Sequence, residues 1–254
     1  MAQKFCWVEL LTSDVDAAQA FYGEVMGWTS ASPGHAFRDY RMFVHKGNVV
    51  GGLMLLPDEA KAMGARPSWF GYIASPNVDA DVAAITAAGG KLLRPAETLP
   101  NIGRFAVVAD PQGAAFALWH DLSGAGARDL PPMSVGHVGW HELFTDDVDK
   151  AFDFYSARFG WTKGDAMDMG PMGVYQIFAT GGDAVGGIMK RPPNVPQPFW
   201  NYYFTVVELG ATLVKVEKGG GKVVHGPAEV PGGAWIAQCF DPQDALFSLV
   251  AARR

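Results

Sequence analysis

The chain has few basic residues for its size. Its 20 lysine and arginine residues are outnumbered by 26 aspartate and glutamate residues, which leaves a formal net charge of −6 at pH 7. Nucleic-acid surfaces need a basic patch or stripe, so this balance argues against DNA or RNA as a partner. No apolar run approaches the ~20 residues that cross a bilayer, and we see no secretory signal. We therefore expect a cytoplasmic protein without a membrane partner.

Cysteine pairs, histidine clusters and the common catalytic motifs are missing as well. Cys6 and Cys239 do not occupy equivalent positions, and we interpret them as small apolar residues in a reducing cytoplasm. The six histidines show no spacing typical of metal ligands. His141 is out of phase with its strand neighbours Trp140 and Glu142 and should point away from them. The sequence has no Gly-x-Ser-x-Gly elbow, no Walker loop and no dinucleotide fingerprint.

What the sequence does contain is a long internal repeat. Residues 5–29 and 138–162 are identical at about half of their positions, without a gap. Three shorter matches follow in the same order in each half. A repeat of this length is a whole domain rather than a solenoid unit. The identical residues include Trp7/Trp140, Glu9/Glu142, Asp14/Asp147, Phe21-Tyr22/Phe154-Tyr155 and Gly27-Trp28/Gly160-Trp161, and the later matches are Val50-Gly51-Gly52/Val185-Gly186-Gly187, Gly90-Lys91/Gly221-Lys222 and Asp110-Pro111-Gln112/Asp241-Pro242-Gln243.

Each half reads as one order of elements used twice: a strand, a helix and three further strands. Thr12, Ser13 and Asp14 are good helix N-cap residues, apolar residues then recur at helical spacing, and Gly27 stands where a C-cap belongs. A link rich in glycine, alanine and proline separates the halves. We predict an α+β fold with a first domain at residues 1–122, a linker at 123–131 and a second domain at 132–254.

The doubled motif resembles the vicinal oxygen chelate superfamily, which includes glyoxalase I, bleomycin-resistance proteins and extradiol dioxygenases. The carrying residues are Asp14-Val15-x-x-Ala18-x-x-Phe21-Tyr22 before Gly27-Trp28, the same set in the second half, and the later Gly-Gly-Lys and Asp-Pro-Gln. The Trp-x-Glu-Leu-x-Thr opening is similar to a branch of tandem glyoxalase-like proteins. The resemblance implies two tandem domains, each made of two βαβββ modules that form a curved mixed sheet around a cavity.

The resemblance also implies where metal ligands would lie, and this chain has other residues there. Tryptophan, phenylalanine and alanine offer no oxygen or imidazole donor, and asparagine and serine are weak donors. We therefore predict no metal and no cofactor. A shift of two residues along the first strand stays open as an alternative, and it would make Glu9 and Glu142 ligands. The three ligand positions carry, in the first and second half, Trp7 and Trp140, Phe70 and Asn201, and Ala117 and Ser248.

An aromatic face with one acid takes the place of the metal site. Side chains alternate across a strand, so Trp7 shares a face with Glu9, and Trp140 shares the equivalent face with Glu142. An acid on such a face is costly unless it is paired or functional, which makes Glu9 and Glu142 candidate catalytic bases, with a structural acid as the alternative. The predicted ligand-binding residues are Trp7, Phe70, Tyr72, Trp140, Phe144, Asn201 and Tyr203.

These patterns leave three functions open. The favoured hypothesis is a protein of the glyoxalase and bleomycin-resistance type that binds a small, partly apolar organic molecule in metal-free aromatic cavities. The alternatives are a lyase or dioxygenase that uses Glu9 and Glu142 as base or metal ligand, and a scaffold for protein interaction. Because Arg104 and its repeat mate Trp235 differ, the two sites need not bind the same molecule. We expect a monomer, as a pseudo-dimer of domains, or a homodimer.

Overall fold

Two eight-stranded sheets carry the fold, one from each half of the chain. The computed structural model describes residues 2–32, 40–124 and 130–254. The first sheet contains β1 Phe5–Thr12, β2 Thr29–Ala31, β3 Tyr40–His45, β4 Asn48–Leu55, β5 Ser68–Ala74, β6 Lys91–Leu99, β7 Gly103–Ala109 and β8 Ala115–Asp121. Its strand order is β2-β3-β4-β1-β5-β8-β7-β6.

The second sheet contains β9 Val138–Thr145, β10 Thr162–Asp168, β11 Val174–Ala179, β12 Ala184–Lys190, β13 Phe199–Thr205, β14 Lys222–Glu229, β15 Trp235–Phe240 and β16 Leu246–Ala251. Its strand order, β10-β11-β12-β9-β13-β16-β15-β14, repeats that of the first sheet with each strand in the equivalent place. Parallel pairs, such as β1 with β4 and β9 with β12, occur beside antiparallel hairpins, so both sheets are mixed. This confirms the predicted α+β fold and the doubled βαβββ modules.

The repeated motif residues define the ends of the first helix in each half. Asp14 and Asp147 are N-caps whose side chains each accept a hydrogen bond from a backbone N–H three residues later. Gly27 and Gly160 end these helices with φ of 67° and 71°, which a residue with a Cβ adopts only at a cost. The helices are α1 Val15–Met26, α2 Asp58–Ala62, α3 Val78–Ala87, α4 Val148–Phe159 and α5 Leu209–Lys218. None in the described ranges has the length and apolar character to cross a membrane.

Residue contacts divide the chain into two compact units, each of which draws on both halves. The first unit comprises Met1–Cys6, Gly71–Leu130 and His141–Trp200. The second comprises Trp7–Phe70, Pro131–Trp140 and Asn201–Arg254. Each sheet, by contrast, lies within one half of the sequence. The boundaries at 122 and 132 therefore stay a prediction about where the chain could be cut into domains.

The core of the second compact unit is organised around Tyr22 of α1. Its hydroxyl donates to Asp241 Oδ2 at 3.1 Å and accepts from Trp69 Nε1 at 2.9 Å. The Trp28 ring stacks on the Tyr22 ring with centroids 5.7 Å apart. Tyr22 is fully buried and Trp28 and Asp241 are nearly so, which makes Trp28 a packing residue of this core.

The first compact unit contains the same arrangement made from the repeat mates. The Tyr155 hydroxyl donates to Asp110 Oδ2 at 3.0 Å and accepts from Trp200 Nε1 at 3.0 Å. Trp161 stacks on Tyr155 with centroids 4.9 Å apart. The Phe-Tyr and Asp-Pro-Gln motifs are thus joined by a hydrogen bond, in which the tyrosine of one half donates to the aspartate of the other.

Each of these aspartates uses its second oxygen to hold its own turn. Asp110 Oδ1 accepts from the backbone N–H groups of Gln112, Gly113 and Ala114 at 2.8–3.0 Å. Asp241 Oδ1 does the same for two N–H groups of its turn, at 2.9 Å. Burial nevertheless raises the pKa of both aspartates, because desolvation outweighs the hydrogen bonds that favour the charged form.

Candidate functional site

The first candidate site lies in the second compact unit, where Glu9 stands beside a glycine on the neighbouring strand. Glu9 is buried on β1 and is the register partner of Gly52 on β4. A Cβ placed on Gly52 would overlap the Tyr40 hydroxyl and would lie 2.9 Å from Glu9 Oε2. Tyr40, from β3, therefore lies across the open backbone of Gly52 and brings its hydroxyl to the carboxylate. We call Glu9, Tyr40, Gly52 and Trp7 the Glu9 site.

The Tyr40 hydroxyl joins Glu9 to Trp7 by hydrogen bonds. It donates to the Glu9 carboxylate and accepts from the Trp7 indole, which donates only. Burial raises the pKa of Tyr40 well above its usual value, and the charge of Glu9 and the bond to it add to the increase. Tyr40 is therefore a neutral donor at physiological pH. Glu9 accepts its hydrogen bond, and the proton stays on Tyr40.

The second candidate site, in the first compact unit, repeats the buried glutamate beside a glycine that a tyrosine covers. Glu142 is buried on β9 and is the register partner of Gly187 on β12. A Cβ on Gly187 would overlap the ring and hydroxyl of Tyr175, from β11. Tyr175 is the repeat mate of Tyr40. We call Glu142, Tyr175 and Gly187 the Glu142 site.

Sequence reasoning missed both tyrosines, although the sequence contained a signal for them. Tyr40 and Tyr175 each stand three residues before a phenylalanine, Phe43 or Phe178, that is almost completely buried. The Tyr-x-x-Phe spacing and the second glycine of Val-Gly-Gly recur together in both halves. A tyrosine that covers the glycine of the neighbouring strand would have explained why these two patterns recur together.

The other predicted residues occupy varied environments. In the first compact unit the Phe144 ring stacks on Phe199 with centroids 5.0 Å apart, and Tyr72 meets Trp119 edge-on at 6.3 Å. In the second, Phe70 and Trp140 are half-buried. Their role as ligand contacts stays a prediction.

Asn201 and Tyr203 belong to a hydrogen-bonded group in the second compact unit. Asn201 Nδ2 lies 2.9 Å from Ser248 Oγ, and the reverse pair, Ser248 Oγ to Asn201 Oδ1, is at 3.1 Å. Gln238 Nε2 donates to the Tyr203 hydroxyl at 3.0 Å. Two of the three positions that the family resemblance assigned to metal ligands in this half, Asn201 and Ser248, are therefore bonded to each other.

This donor set does not fit a divalent cation. The side chains of Asn201 and Ser248 are neutral and engaged with each other, and indole and phenyl groups bind no such ion. Across the described ranges, no three His, Cys, Asp or Glu side chains are grouped in a way that could hold a metal. Burial raises the pKa of Cys6 and Cys239 to about 12, so both are neutral thiols at neutral pH.

We expect dialysed protein to contain no stoichiometric zinc, nickel, manganese or iron, because the donor set is too weak to retain them. Elemental analysis of the purified protein checks this. The open alternative, with Glu9 and Glu142 as ligands, predicts the opposite result: retained metal that disappears in Glu9→Ala and Glu142→Ala.

Arg104, whose difference from Trp235 suggested that the two sites need not bind the same molecule, pairs with a helix residue, and that suggestion stays a prediction. Its guanidinium binds both carboxylate oxygens of Asp79, on α3, at 2.7 and 2.9 Å. Its repeat mate Trp235 lies under the guanidinium of Arg254, 5.3 Å from the ring centroid. Arg104 alternates out of phase with Phe105 and Val107 along β7, which is why its side chain meets the helix.

Known proteins match both halves. The family profile described as the Glyoxalase/Bleomycin resistance protein/Dioxygenase superfamily matches residues 134–249, and the profile described as Bleomycin resistance protein-like N-terminal matches residues 4–43. CFP32 of Mycobacterium tuberculosis, which carries a provisional glyoxylase name, is 36% identical over 248 residues, or 96% of this chain and 93% of the relative. The chain belongs to the glyoxalase/bleomycin resistance protein/dioxygenase superfamily.

Other similar proteins carry different names. The anthracycline biosynthesis protein DnrV of Streptomyces peucetius is 31% identical and covers 97% of this chain and 92% of its own length. The Mn(II)-bound glyoxalase of Novosphingobium aromaticivorans superposes with a TM-score of 0.68 at 18% identity, over 99% of this chain and 82% of that one. A variant of homoprotocatechuate 2,3-dioxygenase from B. fuscum gives 0.68 at 14% identity, over 98% and 71%. Identities this low show the fold alone.

Proposed function

We propose that this superfamily member binds a flat, partly apolar organic molecule at the Glu9 site and at the Glu142 site, without a metal. The observation that carries the proposal is the buried glutamate with a tyrosine laid over a glycine beside it, which is present in both repeats. A pure core would fill the same space with apolar side chains and would not keep two buried acids.

The chemistry of the Glu9 site supports a ligand with an aromatic body and a donor group. Trp7 and Tyr40 offer ring faces and edges, and Glu9 offers a carboxylate that is already oriented by one hydrogen bond. A carboxylate among aromatic rings binds cationic or N–H and O–H donor groups, while the rings bind the flat body. The relatives named for anthracycline biosynthesis support a polycyclic aromatic molecule as the ligand class.

A lyase or dioxygenase activity is the second candidate function. A buried carboxylate in contact with a tyrosine hydroxyl can exchange a proton with a bound substrate, as a general base must. In this reading Glu9 or Glu142 removes the proton and the neighbouring tyrosine stabilises the charge that develops. Recovery of a probe unchanged after prolonged incubation separates binding from catalysis.

Glu9→Gln and Glu142→Gln are expected to weaken binding of a dihydroxyanthraquinone by roughly tenfold each, because a hydrogen bond to a charged group, about 1.5–3 kcal/mol, becomes one to a neutral group, about 0.5–1.5 kcal/mol. Stability should change by less than about 1 kcal/mol, since glutamine keeps an oxygen that accepts from the tyrosine. Quenching of tryptophan fluorescence measures the affinity, and urea unfolding measures the stability.

Glu24→Gln is the matched control, because it removes the same charge at an exposed position of α1. It should leave both affinity and stability unaltered. A loss of about 1–3 kcal/mol in stability with unchanged dye affinity would identify Glu9 or Glu142 as a structural acid and end the proposal for that site.

A further inference from the structure

The second compact unit carries a row of polar side chains across three adjacent strands. Tyr203 on β13 is the register partner of Ser248 on β16, which is the register partner of Gln238 on β15. Asn201 stands two residues before Tyr203 and bonds to Ser248. Because Ser248 is small, the Gln238 amide reaches past it to the Tyr203 hydroxyl. We call Asn201, Tyr203, Gln238 and Ser248 the polar row.

The repeat mates of the polar row are apolar except for the tyrosine. Asn201, Gln238 and Ser248 correspond to Phe70, Val107 and Ala117, and Tyr203 corresponds to Tyr72. In the first sheet, Tyr72 is the register partner of Ala117, which is the register partner of Val107. The same strands in the same order therefore fold with three apolar residues at these positions.

This comparison separates a structural role from a binding role. If the fold needed a hydrogen-bonded group at these three strands, the first sheet would need it too. A buried polar network contributes little net stability over a well-packed apolar one, so its presence in only one repeat points to a function. Asn201 and Ser248 are buried, whereas Gln238 is half-buried.

We propose that the polar row binds a neutral oxygen group of a ligand, a carbonyl or hydroxyl, and that its apolar counterpart in the first sheet does not. The amide of Gln238 has a second N–H besides the one directed at Tyr203, and a ligand carbonyl is its natural acceptor. A row without charge favours a ketone, quinone or phenol over a carboxylate or a phosphate. The proposal concerns residues outside the Glu9 and Glu142 sites and does not depend on their function.

The test uses two soluble dyes of equal ring size, anthraquinone sulfonate and anthracene sulfonate, which differ by two carbonyl oxygens. The unmodified protein should bind the quinone more tightly. Gln238→Val, which inserts the residue of the other repeat, should weaken quinone binding by roughly three- to tenfold, the range for one neutral hydrogen bond, and leave anthracene sulfonate unchanged. Fluorescence titration measures both affinities.

A second variant keeps the test decisive if Gln238→Val folds poorly. Gln238→Glu keeps the shape and can accept from Tyr203, but it replaces the amide donor by a negative charge, so it should also abolish the quinone preference. Val107→Gln, the reverse exchange in the first sheet, is the matched control for altered packing and should leave anthracene sulfonate binding unchanged. Equal losses for both dyes, no loss for either, or no quinone preference in the unmodified protein would each overturn the proposal.

Discussion

Tyr22→Phe is expected to lower the free energy of unfolding by about 2–4 kcal/mol, because it removes one hydroxyl that serves two buried partners. Trp69 Nε1 loses its acceptor and Asp241 Oδ2 loses its donor, and both residues are almost fully buried. The shape of the core is kept, so the loss reports the hydrogen bonds rather than a cavity. Urea unfolding followed by tryptophan fluorescence measures it.

Tyr155→Phe is the matched variant, because Tyr155 makes the same two bonds to Trp200 and Asp110. Its free energy of unfolding should fall by a similar amount. The losses of the two single variants should add in the double variant, since the tyrosines lie in different compact units and the bonds above share no partner. Losses below about 0.5 kcal/mol in both variants would mean that water replaces the hydroxyl, and the Tyr–Asp contact would then not explain why both motifs are present in each half.

The elements of the fold could be predicted because their signals are local. Asp14 and Asp147 cap helices through a backbone N–H three residues away, and Gly27 and Gly160 end them with a left-handed residue. Such contacts need only a few consecutive residues, so the sequence displays them directly. The doubling of the motif then predicted that the second sheet would repeat the first.

The partners of the motif residues could not be predicted, because they are set by the pairing of distant segments. Asp110 and Tyr155 are 45 positions apart and Tyr22 and Asp241 are 219 apart, and in each case the partner belongs to the other half. Tyr40 escaped notice for a related reason: its place over Gly52 depends on the register of β3 against β4. The pattern along one strand does not fix that register alone, because turn geometry and the partner strand also set it. The recurrence of Tyr-x-x-Phe with Val-Gly-Gly in both halves was the available signal.

Strand alternation predicted the faces of Glu9 and His141 correctly, and it was not applied to Arg104. It put Glu9 on the face of Trp7, and the Tyr40 hydroxyl does join the two side chains. It also turned His141 away from Glu142, and the His141 ring stacks on Phe5 with centroids 4.3 Å apart. Arg104 was interpreted from its repeat mate alone, and the phase of β7 would have placed it on the helix side.

Acid should destabilise this protein through His141, by about 3 kcal/mol between pH 7 and pH 4. Burial lowers the pKa of His141 from 6.5 to about 4, and the bond between His141 Nδ1 and the Val185 carbonyl, at 3.1 Å, only partly offsets it. The folded state therefore keeps the ring neutral while the unfolded chain protonates below pH 6.5. A lowered histidine pKa contributes stability that is present above 6.5 and is lost as the pH falls through the folded-state value.

His141→Val isolates this contribution, because valine is the residue that the other repeat has at the same place, Val8. The variant loses the bond to Val185 at every pH. Between pH 7 and pH 4, however, its loss of stability should be about 3 kcal/mol smaller than that of the unmodified protein. His45 and His137, whose pKa values are also lowered, and Asp110 and Asp241, whose raised values act in the opposite direction, are common to both proteins and cancel in the difference. Parallel pH dependences for the two proteins, in urea unfolding at each pH, would show that the folded state admits the charged ring and that the stacking on Phe5 does not exclude water from it.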